Sequence, residues 1–327
     1  MCEFKILRLK KGVKMQRKIY LAGGCFWGMQ AYFSKLKGLI SEVGYANGNT
    51  KETNYQKVAN TNHAEVIKII YDDLSIRTAE IIDRFMQIID PFSLNRQAND
   101  IGTQYRTGIF FEKGDVFTKK IAELFKGYVE KVNGKKSCVV IEEIKNYVKA
   151  EEYHQDYLKK NPFGYCHINP NIVFNSLSNF KKLEIKEIEK LNLDKQSLGI
   201  MLNKETERPH SSEFNLNTQK GIYIDKISKE PLFLSEDKYD AGCGWPSFTR
   251  PIFQTALNYF KDNTLPEERI EVTSKIQDSH LGHVFPALAV KTETGLRYCI
   301  NGFALEFIEF SKLKDTVYEK FQFYFTK

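Results

Sequence analysis

The stretch Lys18-Ile19-Tyr20-Leu21-Ala22-Gly23-Gly24-Cys25-Phe26-Trp27-Gly28 decides how the first half of the chain is read. Lys18 to Gly23 has the short apolar run of a buried strand. The paired glycines permit a tight turn and close approach by a ligand. Phe26 to Leu36 then reads as an amphipathic helix. A strand, a turn and a helix in that order put the Cys25 sulfur at a helix N-terminus. There, unpaired N–H groups and the helix dipole favour a thiolate. Phe26 and Trp27 supply an apolar wall beside it. The competing reading is a structural cysteine among core aromatics, because free cysteines are often simply buried.

Working outward, Leu39 to Ala46 and Ala64 to Tyr71 read as extended. Ser75 is the expected cap of a helix whose apolar side is Ile82, Phe85, Met86 and Ile89 and which stops at Pro91. Arg106 to Phe111 and Ser137 to Ile144 read as strands. Asp115 caps a helix to about Val132, closed by Gly134. Glu151 to Lys160 is expected to be a last helix. This grammar predicts an α+β domain with helices packed on a mixed sheet. After a Lys-, Glu- and Asn-rich stretch the pattern changes. Gly221 to Ile227, Leu288 to Thr292 and Leu296 to Phe310 read as strands, predicting a mainly-β domain of antiparallel sheets. The expected boundaries are a first domain at 1–170, a charged linker at 171–194, a second domain at 195–315 and a C-terminal tail at 316–327.

A chain of 327 residues suits about two domains, and 42% hydrophobic with 27% charged residues is a globular composition. No apolar run reaches the ~18 residues of a membrane span. Met1 to Lys18 lacks the continuous apolar core of a signal peptide, and Met15 is an alternative start. The net charge of +7 is spread along the chain, so no nucleic-acid partner is expected, and Lys5 to Lys18 reads as a solvated tail. Six scattered cysteines do not make a disulfide scaffold. They suit a cytoplasmic protein whose cysteines are buried or redox-active. Cys138 reads as a core residue and Cys2 as part of the tail.

Other candidates follow from pattern. Glu65 shares a strand face with Ile67, Ile69 and Tyr71. A carboxyl among apolar groups stays protonated and can donate a proton, although a strand-end glutamate reaching water fits the pattern equally well. Tyr45, Asp100 and Tyr105 lie in polar, glycine-containing loops. In the second half, Arg297, Cys299 and Asn301 share one face of a strand, so a cation lies beside a thiol. An ordinary strand with a buried cysteine is the alternative. His280 and His283 are three apart; without paired cysteines they fit hydrogen bonding to a substrate better than zinc. Cys243-Gly244-Trp245 places another cysteine on a glycine turn beside an indole.

Taken in order, Gly24-Cys25-Phe26-Trp27-Gly28, Val43-Gly44-Tyr45-Ala46, His63-Ala64-Glu65, Asn99 to Arg106, and His154-Gln155-Asp156-Tyr157 to Cys166 resemble the methionine sulfoxide reductase A family. The resemblance covers about residues 17 to 168. It implies Cys25 as nucleophile, Glu65 as acid, and Tyr45 and Tyr105 as binders of the sulfoxide oxygen. It implies Asp100 as a supporting residue and Phe26 and Trp27 as the methyl pocket. Cys166 matches the resolving cysteine, with no further recycling cysteine downstream, so a single-disulfide cycle is implied. From about Lys195 to Phe310, Glu207-Arg208-Pro209, Gly221-Ile222-Tyr223, Glu230 to Phe233, Cys243 to Phe248 and His280 to Phe285 resemble the methionine sulfoxide reductase B family. This implies Cys299 as nucleophile, Cys243 as resolving cysteine and Trp245 in the methyl pocket. His280, His283 and Asn301 match acid and substrate-binding groups, and Arg297 tunes the thiolate.

Together the resemblances imply a bifunctional enzyme that reduces the S epimer in its first half and the R epimer in its second, reset by thioredoxin. Many B-type members hold a structural zinc on two cysteine pairs. Here Asp225, Ser228, Ser274 and Gln277 stand near those positions, so a zinc-free form with no cofactor is expected. Gly302, Phe303 and Glu306 also depart from the family pattern and are expected to alter the second pocket's wall. A thiol peroxidase and a redox-switched binding protein are the rival readings.

Overall fold

The computed structural model describes residues 16–164, 168, 174–265, 268–287, 292 and 294–325. The described chain divides into two compact units, residues 16–175 and residues 176–325.

The first unit holds strands β1 (Gln16–Gly23), β2 (Leu39–Ala46), β3 (Ala64–Asp72), β4 (Arg96–Gln97), β5 (Asp100–Ile101), β6 (Thr107–Phe111), β7 (Val140–Glu143) and β8 (Tyr147–Lys149). Its helices are α1 (Phe26–Phe33), α2 (Thr78–Ile88), α3 (Val116–Asn133) and α4 (Tyr157–Lys160). Six strands form one sheet in the order β7-β6-β1-β3-β2-β8, and β4 pairs with β5 apart from it. The β6–β7 pair is parallel and the other pairs are antiparallel, so the sheet is mixed as expected. Ile19, Leu21, Ile67, Ile69 and Ile109 are fully buried along its centre. That burial, worth about 25 cal/mol per Å² of apolar surface, holds β1 rigid where it delivers Gly23 to the turn before α1.

Local chemistry explains where the elements end. Asp115 accepts the Thr118 N–H and Gly134 closes α3 at φ 60°, both as expected. The expected cap at Ser75 is corrected: Arg77 is the capping position of α2, and Asp73 Oδ1 accepts the Thr78 N–H at 3.0 Å. The expected helix over Glu151 to Lys160 is reduced to four residues. Gln155 is the cause. Its amide accepts from Val43 N and donates to Val43 O, both at 3.0 Å, so it continues the hydrogen bonding of the β2 edge and holds 150–156 in turns.

The second unit holds α5 (Ile185–Glu189), α6 (Lys195–Asn203) and strands β9 (Gly221–Asp225), β10 (Pro231–Leu234), β11 (Lys238–Tyr239), β12 (Ser247–Phe248), β13 (Leu257–Asp262), β14 (Arg269–Ser274), β15 (His280–Pro286), β16 (Leu296–Ile300) and β17 (Leu305–Glu309). The strands form two sheets, β10-β9-β17 and β11-β12-β16-β15-β14-β13, with every pair antiparallel. The single strand expected over Leu296 to Phe310 is two strands, broken by a 3-10 turn at Gly302–Ala304. The expected strand over 288–292 lies almost wholly outside the described residues.

The linker and tail boundaries also differ. Residues 176–194 group with the second unit. Ile188 is buried, and Gln277 bonds both the N–H and the carbonyl of Leu183. Phe321 and Tyr324, in the expected tail, are fully buried, and Lys320 reaches Ser176 Oγ at 2.7 Å. Their i, i+3 spacing turns both rings to one side of the 3-10 turn Glu319–Tyr324.

Candidate active sites

In the first unit Cys25 is the residue just before α1, reached from β1 through Gly24 at φ +80°. Its side chain is buried. Glu65 lies opposite Tyr45 in the β2–β3 register. Its Oε2 accepts the Phe26 N–H at 3.1 Å, which brings the carboxyl to the turn that carries Cys25. Glu65 is 2% exposed. Burial, reinforced by the Asp100 charge, raises its pKa to about 8 against the opposing pull of the Phe26 N–H. The carboxyl is therefore largely protonated at neutral pH.

Tyr45 is fully buried against Phe26, with ring centroids 5.7 Å apart, and donates its hydroxyl to Glu151 Oε2 at 2.8 Å. Tyr105 ends the 3-10 turn Thr103–Tyr105. Burial raises both phenols above the ordinary range, and the Glu151 charge at Tyr45 and the Asp100 charge at Tyr105 act in the same sense, so both stay protonated. Asp100 acts electrostatically on Glu65, Tyr105 and Tyr55. Trp27 is half-buried. Its indole stacks on Tyr157, with centroids 3.7 Å apart, and donates to His154 Nδ1 at 3.0 Å. His154 is buried and burial lowers its pKa, so it is neutral, with Nδ1 as acceptor and the proton on Nε2. The structure thus brings Cys25, Phe26, Trp27, Tyr45, Glu65, Asp100 and Tyr105 together. It adds Tyr55, Glu151, His154 and Tyr157, which carried no chemical reading in the sequence. The HQxY spacing after Glu151 was the available signal. Cys166 and Cys2 lie outside the described residues. Cys138, expected in the core, is instead half-buried ahead of β7 and donates to the Phe92 carbonyl at 3.4 Å.

In the second unit Cys299 sits on β16, opposite Ser247 on one side and His283 on the other. Cys243 Sγ is 3.6 Å from Cys299 Sγ and 3.3 Å from Ser247 Oγ. A thiol donating to its partner stabilises the partner as thiolate, and Arg297 favours the charged form of both. The pair's first ionisation therefore falls well below the ordinary thiol range. The thiols open onto a cavity of about 220 Å³ lined by Thr206, Trp245, Arg269, His283, Arg297 and Asn301. Trp245 is pinned by its indole N–H to Glu207 O at 3.2 Å. His283 Nε2 lies 2.7 Å from Asp262 Oδ2, and Arg269 bonds the same oxygen at 2.7 Å. Gly282, at φ +149°, lets β15 pass against the Cys299 carbonyl, where a Cβ would clash.

His280 lies behind this wall, buried and 2.7 Å from Glu271, with its pKa lowered chiefly by burial. The Asn301 side chain accepts from Glu207 N at 3.0 Å and donates to Leu281 O at 3.1 Å, so it also braces the backbone around the site. Gly302, Phe303 and Glu306 do not line the cavity. Glu306 pairs with Lys229, and the Phe303 N–H bonds Glu207.

Asp225, Ser228, Ser274 and Gln277 occupy a buried polar cluster completed by Glu230 and Ser279. Asp225 Oδ1 accepts the N–H groups of Ile227 and Ser228, both at 2.8 Å. Glu230 accepts from Ser228 Oγ, Ile276 N and Gln277 N. Burial, then the Asp225 charge, lifts the Glu230 pKa to about 7. These hydroxyls, amides and backbone-bonded carboxyls do not fit a structural zinc ion, whose tetrahedral sites are built from cysteine thiolates and histidine imidazoles. Among the described residues no group of three or more His, Cys, Asp or Glu is placed to hold a metal.

These two thiol centres define the chain as a thiol-dependent oxidoreductase. It belongs to the peptide methionine sulfoxide reductase family, whose model matches residues 17–184, while the SelR domain model matches residues 193–309. The chain is therefore a fusion of an A-type and a B-type methionine sulfoxide reductase. Among solved structures, the reduced form of Mxr1 from Saccharomyces cerevisiae is 36% identical, with 51% of this chain and 96% of that one covered at a TM-score of 0.45. Methionine sulfoxide reductase A of Corynebacterium diphtheriae is 30% identical over 48% of this chain and 80% of its own, at 0.43. Mxr1 in complex with Trx2 matches at 29% identity over 46% of this chain and 90% of that one, at 0.32.

Proposed function

We propose that each half reduces one epimer of methionine sulfoxide by its own thiol, the first half the S form and the second the R form. Methionine sulfoxide is chiral at sulfur, and the A and B reductases are known to divide its epimers between them. The observation that carries the reading is the bond from Phe26 N–H to Glu65 Oε2 at 3.1 Å, which sets a protonated acid at the turn bearing Cys25. The Cys25 thiolate attacks the sulfoxide sulfur, and Glu65 gives its proton to the oxygen. Tyr105 orients that oxygen, joined by Tyr45 once its hydroxyl turns from Glu151; Asp100 supports Glu65, and Phe26 and Trp27 enclose the methyl group. Oxygen passes to the cysteine, which becomes a sulfenic acid, and methionine leaves. Condensation with Cys166 releases water and forms a disulfide.

In the second half Cys299 is the nucleophile and Cys243 resolves it. Their 3.6 Å separation leaves little motion before the bond forms. His283 and His280 supply the proton and its orientation, Arg297 holds the thiolate, and Trp245 and Asn301 shape the pocket. Each disulfide is reset by exchange with a dithiol protein of the thioredoxin type. Such thiols suit a reducing, cytoplasmic compartment, and no bound cofactor is required.

Turnover of the two purified epimers by the intact protein with a dithiol donor tests this. Both should be consumed. Consumption of hydrogen peroxide with neither sulfoxide reduced would instead mark a thiol peroxidase.

A further inference from the structure

The loop between β2 and β3 and the 3-10 turn before β6 are separate segments, yet both supply the first site. One side chain ties them. Arg106 Nη2 donates to Asn47 O at 3.0 Å, and Nη1 donates to Asn62 O at 3.2 Å and to Thr103 O at 3.0 Å. Asn47 is two residues beyond Tyr45. Asn62 is three residues before Glu65. Thr103 is two residues before Tyr105. Both asparagines are left-handed, at φ 52° and 54°, and stand just outside the paired ends of β2 and β3, where the last ladder pair is Ala46 with Ala64. Their carbonyls point off the ladder and need another donor. A planar guanidinium with fixed, divergent donors meets three carbonyls at once.

We propose that Arg106 is a positioning residue for the first site, clipping the two ends of the β2–β3 loop to the Tyr105 turn so that Glu65, Tyr45 and Tyr105 converge on one sulfoxide oxygen. Arg106 does not touch substrate in this scheme. Its bonds go to backbone; burial lowers its pKa, opposed by the Glu142 charge. The proposal rests on the roles given above to Glu65 and the two tyrosines. Without the clip the loop ends part and water reaches the Glu65 carboxyl. That carboxyl then ionises at lower pH, and the acid is both misplaced and less often protonated.

The experiment compares the intact protein with Arg106→Ala and Glu65→Gln in single-turnover reduction of the S epimer across pH. For Arg106→Ala the rate at pH 7 should fall roughly 10- to 100-fold, the loss typical of ångström-scale misplacement. The alkaline midpoint should move down from about 8. Added guanidinium ion should restore much of the rate, and R-epimer turnover should stay at its wild-type level. Arg106→Lys, which keeps the charge but not the fork, should recover less than guanidinium does. An Arg106→Ala variant with wild-type rate and midpoint would overturn the proposal. So would a slowed variant whose midpoint is unmoved and which guanidinium does not restore, since Arg106 would then be only structural. Glu65→Gln separates the two ideas. If it turns over normally, the site reading itself fails. If it is slow while Arg106→Ala is not, only the clip fails.

Discussion

Cys25→Ser should abolish reduction of the S epimer and leave R-epimer turnover at its wild-type rate. A serine hydroxyl stays protonated near neutrality and is a poor nucleophile toward sulfur, and it cannot form a sulfenic acid. The loss should be at least about 10³-fold, as expected when a nucleophile is removed outright. The substitution removes one sulfur at the start of α1, and the Phe26 N–H bond to Glu65 uses backbone that serine keeps. The fold of the first unit should therefore survive. Sparing of the R epimer follows because Cys299 and Cys243 sit within 3.6 Å of each other in the second unit and need nothing from Cys25. The measurement is methionine formed from each purified epimer. Equal loss of both would contradict the division of labour.

Glu65→Gln should slow the chemical step on the S epimer by about 10²- to 10⁴-fold, the usual contribution of a positioned general acid. Glutamine matches the shape and can still accept the Phe26 N–H, but it has no proton to transfer. The pH dependence has a definite sign. The acid works protonated, so the wild-type rate should be level below about 8 and fall as pH rises through it. The variant should lose that limb. Stability follows the same linkage. The folded pKa lies above the ordinary carboxylate value, so the native state binds the extra proton and is favoured at low pH. Its stability falls as pH rises from the unfolded pKa through about 8. Glu65→Gln should flatten this slope. Rapid-quench rates and unfolding midpoints across pH 5 to about 9 check both effects. A normal single-turnover rate would remove Glu65 as the acid.

Local patterns in the sequence were the legible ones. The run from Lys18 to Gly28 specified strand, turn and helix, and with them the place of Cys25. The period-2 run from Glu65 to Tyr71 marked a strand, but only the structure shows that Glu65 is sealed rather than wet. Partners made by register or by loops were not readable. Asp262 meets His283 only because β13, β14 and β15 align, and one residue of slip would turn the side chains to the opposite face. Glu151 and His154 lay in a segment with helical composition. Gln155 overrides that propensity by bonding to β2, and this turns both residues toward Tyr45 and Trp27. The charged stretch before α6 read as an exposed connector because composition does not report the burial of Ile188 or the packing of Phe180 on Tyr318.

The most direct measurement is to give the reduced, intact protein one equivalent of the R epimer without any reductant, then label free thiols and map the peptides by mass. Cys243 and Cys299 should be joined and unlabelled, while Cys25 remains free. Methionine formed with Cys25 oxidised, or with the Cys243 and Cys299 pair still reduced, would contradict the assignment of separate thiols to separate epimers.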